Sequence, residues 1–511
     1  MTSAREGAFD LLIVGGGING AGIARDAAGR GLKVLLVERD DLAAHTSSAS
    51  TKLIHGGLRY LEHFDFRLVR ESLIERERLL SIAPHIVQPL EFVIPQSESI
   101  RPAWMVRLGL FIYDHLGGRQ TLPRTRIIRL EDHGFGRGLE VPVGKAFVYS
   151  DCRVDDSRLV LLNALDAAER GAQIRTRTEL VAAHRASDQW TATLRGPGGS
   201  SEVRARVLVN AAGPWVDALF DRLGGARKRC SIRLVKGSHI VLPRLFPGEQ
   251  AFLIQNPDRR VIFAIPFERE FTLVGTTDQG WDGPPAAAVI SEEEINYLLD
   301  AVHRTFARKM GTGDIRGTYS GIRPLYDNRA TNASAVTRDY VLDLDTDQAP
   351  LLSIFGGKLT TYRRLAEHAL DRLSRYFPAL SNPWTGDVAL PGGDLAQPIE
   401  TYAARLGDRY PFLPPPELAR LARTYGTRAE RLLGGAARAA DLGEKFGAML
   451  TAREVDYLIS EEWARTAEDI LFRRTKLGFQ VSPETVERLE DYLRSRSAGS
   501  VPAARRADDA A

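Results

Sequence analysis

A chain of 511 residues, 44% hydrophobic and 26% charged, has the makeup of a folded globular protein with more than one core. Its 68 Lys and Arg against 65 Asp and Glu leave a net charge of +3, too small to point to nucleic acid. Two cysteines, Cys152 and Cys230, exclude a disulfide framework and a four-thiolate metal site and suggest a reducing compartment.

The first predicted element is the apolar run FDLLIVG (9–15), a buried strand. GGINGAGIARDAAGRG follows, with Ile18, Ala21, Gly22, Arg25 and Ala28 at helical spacing, and KVLLVE (33–38) is a second strand. Strand, glycine turn, helix and strand within about 30 residues make a βαβ unit. Gly15, Gly17 and Gly20 form G-x-G-x-x-G at the turn. In that pattern the first glycine permits the turn, the second admits a pyrophosphate, and the third lets the helix pack closely. Glu38 ends the second strand, where an acid accepts hydrogen bonds from a ribose with a free 2′-hydroxyl; this favours NAD or FAD over NADP.

DFRLVRESLIERERLLSIAP is a helix ending at Pro84. AWMVRLGLFIYDHLGG (103–118), interrupted by Arg107 and Asp114, is an amphipathic helix, expected to pack on the core, with a membrane surface as the alternative. Residues 151–180 read as helix then strand, and 190–213 as a hairpin followed by a buried strand. From about 230 to 330 the pattern is β-rich, broken by SEEEINYLLDAVHRTF, which Ser291 caps. Residues 349–373 return to strand, glycine turn and helix. SNPWTGDVALPGGD (381–394) reads as a domain linker, and the rest is helical in pattern. The basic clusters Arg227–Lys228–Arg229, Arg473–Arg474 and Arg505–Arg506 read as solvated faces. Neither a signal peptide nor a run long enough to span a membrane is expected.

Two later segments favour FAD over NAD. RVLVNAAGPW (206–215) resembles the later strand of two-dinucleotide-domain flavoproteins, with small residues where backbone would lie against a cofactor. FGGKLTTYRRLAEHAL has the form of a helix N-terminus aimed at the pyrimidine end of a flavin.

GGGINGAGIARDAAGRGLKVLLVE, TSSASTKLIHGGLRYLEH, LVKGSHIVLP, VGTTD, YSGIRPL, FGGKLTTYR and TAEDILFRRTKLG together resemble the FAD-dependent glycerol-3-phosphate dehydrogenases, from about residue 8 to 495. The resemblance implies an α/β fold with a Rossmann-like FAD-binding domain of the glutathione-reductase and D-amino-acid-oxidase type. A mixed β-sheet substrate domain and a C-terminal all-helical domain would complete it. The expected boundaries are 1–85, 150–230 and 335–380 for the FAD domain, 86–149 and 231–334 for the cap, 390–496 for the helical domain, and 497–511 for a disordered tail.

The implied reaction is oxidation of sn-glycerol 3-phosphate at C2 to dihydroxyacetone phosphate, with hydride passing to flavin N5 and electrons to a membrane quinone, ubiquinone or menaquinone. The implied setting is the inner face of the cell membrane, held peripherally, as a homodimer and without nucleic acid. An FAD oxidase using oxygen, or acting on another small anionic alcohol or amine, is the alternative within enzymes. A catalytically silent flavin-bound scaffold is the alternative outside them.

Arginine suits a phosphate because its planar fork bonds two oxygens. Arg59 in HGGLRY and Arg323 in SGIRPL are the expected anion ligands, with Tyr60, Lys358 and His239 beside them. His55 is the first candidate for the base, since a neutral imidazole accepts a proton near pH 7; His239 is the second, and water or Arg323 assisting an alkoxide is a third route. FAD contacts are expected from Gly15, Gly17, Ile18, Asn19, Gly20, Glu38, Arg39, Thr46, Ser47, Ser48, Ser50, Lys52, Leu53, His55, Gly56 and Gly57, with a nearby carboxylate as the alternative partner of Lys52. Ala211, Gly213, Gly357, Lys358, Leu359 and Thr360 complete that set, with Thr360 and Thr361 also expected to cap the helix that follows. Thr276, Thr277 and Asp278 read as a capping turn. Ten histidines and two cysteines show no metal-ligand spacing.

Overall fold

The computed structural model describes residues 5–96, 101–118, 121–327 and 339–499. The βαβ unit is β1 (Arg5–Val14), α1 (Ile18–Gly29) and β2 (Val34–Val37). Next come β3 (Leu53–Ile54), α2 (Phe66–Ile82), β4 (Val87–Pro95), α3 (Ala103–Leu116), β5 (Arg126–Arg129) and β6 (Lys145–Val154). The chain continues through α4 (Asp156–Glu169), β7 (Gln173–Arg175), β8 (Glu179–Arg185), β9 (Trp190–Gly196) and β10 (Gly199–Asn210). Then follow α5 (Val216–Leu219), β11 (Leu223–Gly224), β12 (Ile232–Pro243), β13 (Ala251–Gln255), β14 (Val261–Phe267), β15 (Phe271–Gly275) and β16 (Gln279–Gly280). α6 (Glu292–Thr305), β17 (Gly317–Tyr326), β18 (Val341–Asp345), β19 (Leu351–Phe355) and α7 (Tyr362–Leu373) end this part.

One nine-stranded sheet has the order β11-β8-β9-β10-β1-β2-β7, with β19 also on β10 and β18 on β19. β1 pairs in parallel with both β2 and β10, and its Leu11, Leu12 and Ile13 are fully buried. Burying each such side chain is worth about 1.5–3 kcal/mol, so this strand anchors the turn that follows it. α1 packs against α4 and α7. A ten-stranded sheet has the order β16-β12-β15-β14-β13-β4-β6-β3, with β17 on β12 and β5 on β6. α6 closes its core with Leu298, Leu299 and Val302. The predicted cap is present: the Ser291 hydroxyl accepts from Glu294 N–H at 3.3 Å, and Glu294 returns a bond to Ser291 N–H at 2.9 Å.

The chain divides into two compact units, Met1–Ile399 and Glu400–Ala511. The second unit's helical stretches are α8 (Ile399–Arg409), α9 (Pro415–Tyr425), α10 (Arg428–Leu433), α11 (Ala452–Glu461) and α12 (Pro483–Gly499). It also contains a short antiparallel hairpin, β20 (Lys445–Gly447) with β21 (Leu450–Thr451), so it is not all-helical. The turn between them holds Gly447, Ala448 and Met449 at positive φ. α12 runs to Gly499, past the start of the expected tail at 497, whose residues 500–511 lie outside the described residues.

Two sequence expectations change, and the expected linker gains a structure of its own. α3 was expected to pack on the core. It buries only Leu110 and Tyr113 on the side that meets α2, and leaves Trp104 at 66%, Met105 at 44%, Leu108 at 51% and Phe111 at 60% exposure. Its apolar residues encircle more of the helix than one neighbour can cover. The 381–394 stretch, read as a linker, is closely packed. The ring of Trp384 fills the space where a Cβ on Gly29 would sit, and Arg25 donates to Val388 O at 2.8 Å. Arg473–Arg474 is not a solvated face. On a π-helical stretch, Asp469–Arg474, Arg474 turns inward to donate to Glu462 O at 2.7 Å, and Arg473 meets Asp469.

Candidate active site

The nucleotide end is built from backbone. Gly15 has φ +117°, and a Cβ there would sit 2.4 Å from Ala211 O. A Cβ on Gly20 would sit 1.9 Å from Gly15 O, so only glycine lets α1 close over the turn. Gly17 is the N-cap of α1, and the Ser47 hydroxyl accepts from Ile18 N–H at 3.0 Å, which places that hydroxyl at the positive end of the helix. Both oxygens of Glu38 are held by backbone: Gly16 N–H donates to one at 2.7 Å and Asp40 N–H to the other at 2.8 Å. Burial pushes this carboxyl above its ordinary value, against those two donors. Arg39 lies over Trp215 at 4.3 Å, and His45 lies against the same ring.

A cavity of about 360 Å³ opens here, lined by Gly15, Gly17, Glu38, Arg39, Thr46, Ser47, Ala211 and Gly213 of the expected residues. Thr178, Leu180, Trp215 and Leu219, which sequence reasoning missed, also line it. A glycine cradle at a helix N-terminus, a ribose-height carboxylate and an apolar slot with an indole fit the pyrophosphate, ribose and adenine of FAD.

Residues 46–60 follow, reaching the ten-stranded sheet where Leu53 and Ile54 pair with β6, and side chains pin them. Thr46 donates to Ile322 O at 2.7 Å. The Ser50 hydroxyl donates to Asp156 at 2.7 Å, and Lys52 donates to both oxygens of Asp156 at 2.9 Å. Lys52 was expected to pair with the cofactor or with a nearby carboxylate, and it meets the carboxylate; Ser50, expected on the cofactor, turns its hydroxyl to this same fully buried group at the start of α4. Lys52 sits at φ +58°, with its own N–H on the Ser50 hydroxyl at 2.9 Å. Ser48, also expected on the cofactor, turns its hydroxyl to His45 O at 3.2 Å. Leu53 is buried in β3.

His55 follows, half-buried, with Thr360 bonded to its backbone: His55 N–H donates to the Thr360 hydroxyl at 3.3 Å. Thr361 occupies the N-cap of α7, but neither threonine makes a side-chain cap bond, contrary to expectation. Asn19 donates to Gly356 O at 3.1 Å and joins α1 to the Gly356–Gly357 turn, with Leu359 half-buried beyond it. Gly57 has φ +82°, a Cβ there would sit 2.2 Å from the Tyr60 ring, and Lys358 Nζ lies 3.9 Å over the centre of that ring. Arg59, between them in the 3-10 turn Leu58–His63, is half-buried.

Arg323, on β17, faces β12 and is clamped by Asp278 at 3.0 Å and Thr276 at 3.0 Å. Asp278, read from sequence as part of a capping turn, is thus the partner of a central guanidinium. His239 is 1% exposed, stacks on Tyr319, and lies 3.0 Å from the Thr51 hydroxyl. Burial, with Arg323 and Lys52 nearby, holds its imidazole well below its ordinary pKa and therefore neutral. The structure thus gathers segments 46–60, 237–239, 276–278, 320–323 and 355–361 around one region. Sequence reasoning missed Asp156, Tyr113 and Asp151. The acid pair opening α4 was the one legible signal among them.

Comparison with known proteins supports this arrangement. A family model described as FAD dependent oxidoreductase matches residues 10–363, and one described as the C-terminal domain of alpha-glycerophosphate oxidase matches 384–509. A glycerol-3-phosphate dehydrogenase of Pseudomonas aeruginosa is 53% identical, with 95% of each chain covered. A D-erythritol 1-phosphate dehydrogenase of Brucella abortus is 52% identical, covering 91% of this chain and 94% of its own. The solved glycerol-3-phosphate dehydrogenase of Bacillus halodurans, complexed with FAD, superposes with a TM-score of 0.74 at 26% identity, over 98% of this chain and 97% of that one. The glycine turn, the strand order and these matches agree: the chain is an FAD-dependent oxidoreductase of the glycerol-3-phosphate dehydrogenase family.

Proposed function

We propose that this enzyme oxidises sn-glycerol 3-phosphate to dihydroxyacetone phosphate and delivers the electrons to a quinone at the inner face of the membrane. What supports the reading is that the segments bearing His55, Arg323 and Lys358 are tied together, Thr46 to Ile322 O and His55 N–H to Thr360, in a chain 53% identical to a glycerol-3-phosphate dehydrogenase. Residues within 5–85, 150–230 and 339–380 would hold FAD, which would supply the two-electron acceptor for the C2–H bond. Arg59 and Arg323 hold the phosphate dianion by paired N–H bonds, and Lys358 adds a point charge over Tyr60. Asp278 and Thr276 fix the fork of Arg323, so little is lost in ordering it when the substrate arrives. His55 takes the C2 hydroxyl proton. The N-terminus of α7, with no acid in its first turn, favours negative charge beside it. The described residues of 86–149 and 231–327 form the wall that keeps water from the alcohol.

For the membrane contact, the support is α3. Its exposed Trp104, Met105, Leu108 and Phe111, with Phe64 at 78% exposure nearby in sequence to Arg67, suit the boundary between acyl chains and headgroups. No helix among the described residues is long and apolar enough to cross a membrane. Two free cysteines accord with the reducing side.

The test is steady-state turnover of the holoenzyme. Glycerol 3-phosphate should support reduction of a ubiquinone analogue at least tenfold faster than oxygen uptake, and tenfold faster than D-erythritol 1-phosphate does. Peroxide formed in step with substrate would make it an oxidase, and a preference for the four-carbon phosphate would replace the substrate.

A further inference from the structure

Beneath the His55–Gly57 turn lies a buried polar cluster. Tyr113, on α3, is 1% exposed. Its phenol oxygen lies 2.7 Å from Gly56 N and 2.8 Å from both carboxylate oxygens of Asp151. Asp151 in turn receives Arg76 at 2.8 Å, and Gly56 N–H also points at it, at 3.4 Å. A phenol has one proton and two lone pairs. The proton goes to Asp151, and a lone pair accepts the Gly56 N–H. Burial and the neighbouring Asp151 keep the phenol well above its ordinary pKa, so it retains that proton.

We propose that Tyr113 is a positioning residue for the oxidation: it holds Gly56 N–H and so sets His55 on one side and the left-handed Gly57 on the other. The proposal rests on the reading of His55 and Arg59 as groups that meet the substrate. Gly56 is confined from both directions. A Cβ there would lie 2.5 Å from Leu73 Cδ2 and 2.6 Å from the Tyr113 oxygen. The flank at His55 is held by the Thr360 hydroxyl, which meets both His55 N and His55 O. Two hydroxyls from distant elements, Tyr113 and Thr360, therefore fix the backbone that carries the base. A shift of about 1 Å in that backbone costs on the order of a hundredfold in rate. The clamp also ties the turn to α3, the helix with the exposed Trp104 and Phe111, so a displacement of that helix reaches His55 through this hydroxyl.

The experiment compares Tyr113→Phe with Leu110→Ala in the holoenzyme. Leu110 shares Tyr113's buried side of α3 and makes no polar contact with the turn. Tyr113→Phe should keep its FAD, lower kcat about tenfold or more, leave KM within about twofold, and speed amide exchange in the 53–60 segment. Leu110→Ala should lower Tm and leave kcat within about twofold. A Tyr113→Phe kcat within twofold of wild type, or a kcat loss matched by Leu110→Ala, would overturn the proposal. His55→Asn separates the two readings. Wild-type turnover in that variant removes His55 as the base. An inactive His55→Asn beside a fully active Tyr113→Phe removes the positioning role alone.

Discussion

The two ends of the cofactor site are made of different material. At the nucleotide end, backbone does the recognition: glycines where a Cβ would strike a carbonyl, N–H groups at the start of α1, and a carboxylate held by two amides. At the proposed substrate end, side chains from five separate stretches are pinned by partners far away in sequence, such as Arg323 by Asp278 and Lys52 by Asp156. Backbone recognition tolerates almost no change at a few positions. Side-chain recognition tolerates change but loses affinity and rate by degrees.

Gly20→Ala should have the largest effect, because the new Cβ meets a backbone oxygen at 1.9 Å and neither can swing away. The variant should purify without yellow colour, whatever happens at the other end. Full FAD content would show that the turn is more yielding than its geometry.

Arg323→Ala should keep FAD and raise the glycerol 3-phosphate KM by about 10- to 100-fold, the worth of hydrogen bonds to a charged group. An unchanged KM would take Arg323 out of the site. Lys52→Met should act on stability first. It leaves Asp156 buried with its ion pair broken, at a cost of about 3–5 kcal/mol seen as a lower Tm and urea midpoint, with FAD retained in the folded fraction. Direct contact between Lys52 and the flavin would instead show as a shifted flavin spectrum at unchanged Tm.

The smallest effect is a pH dependence. His239 and His85 are neutral in the folded protein; burial holds His239 well below its ordinary pKa and pushes His85 down to about 3. The unfolded chain protonates both below about pH 6.5, and the folded chain does not. Stability is therefore full above about pH 6.5 and falls as pH drops, by up to about 1.4 kcal/mol per unit for each histidine. His85→Phe should flatten the fall in Tm between pH 6.5 and 5. An equal slope in the variant would deny that His85 is held neutral.

This contrast also explains what could be read from the chain. The glycine spacing, the strand before it and the acid after it are local, so the nucleotide end and the fold class were legible. His55 stood out beside its glycine pair, and Arg323 through the resemblance of SGIRPL to a family motif. Their partners did not, because Asp278 lies 45 residues from Arg323, and Asp156 lies 104 residues from Lys52. α3 and the Arg473–Arg474 pair misled for a related reason: whether a residue faces core or solvent depends on which element packs there, and composition does not state it.

The central claim is that glycerol 3-phosphate gives its electrons directly to FAD in this site. Anaerobic titration of the yellow holoenzyme tests it most directly. Glycerol 3-phosphate should bleach the flavin band at stoichiometric additions, while Arg323→Ala should need a large excess. An unbleached wild-type enzyme, or equal bleaching by lactate or glycine, would contradict the account.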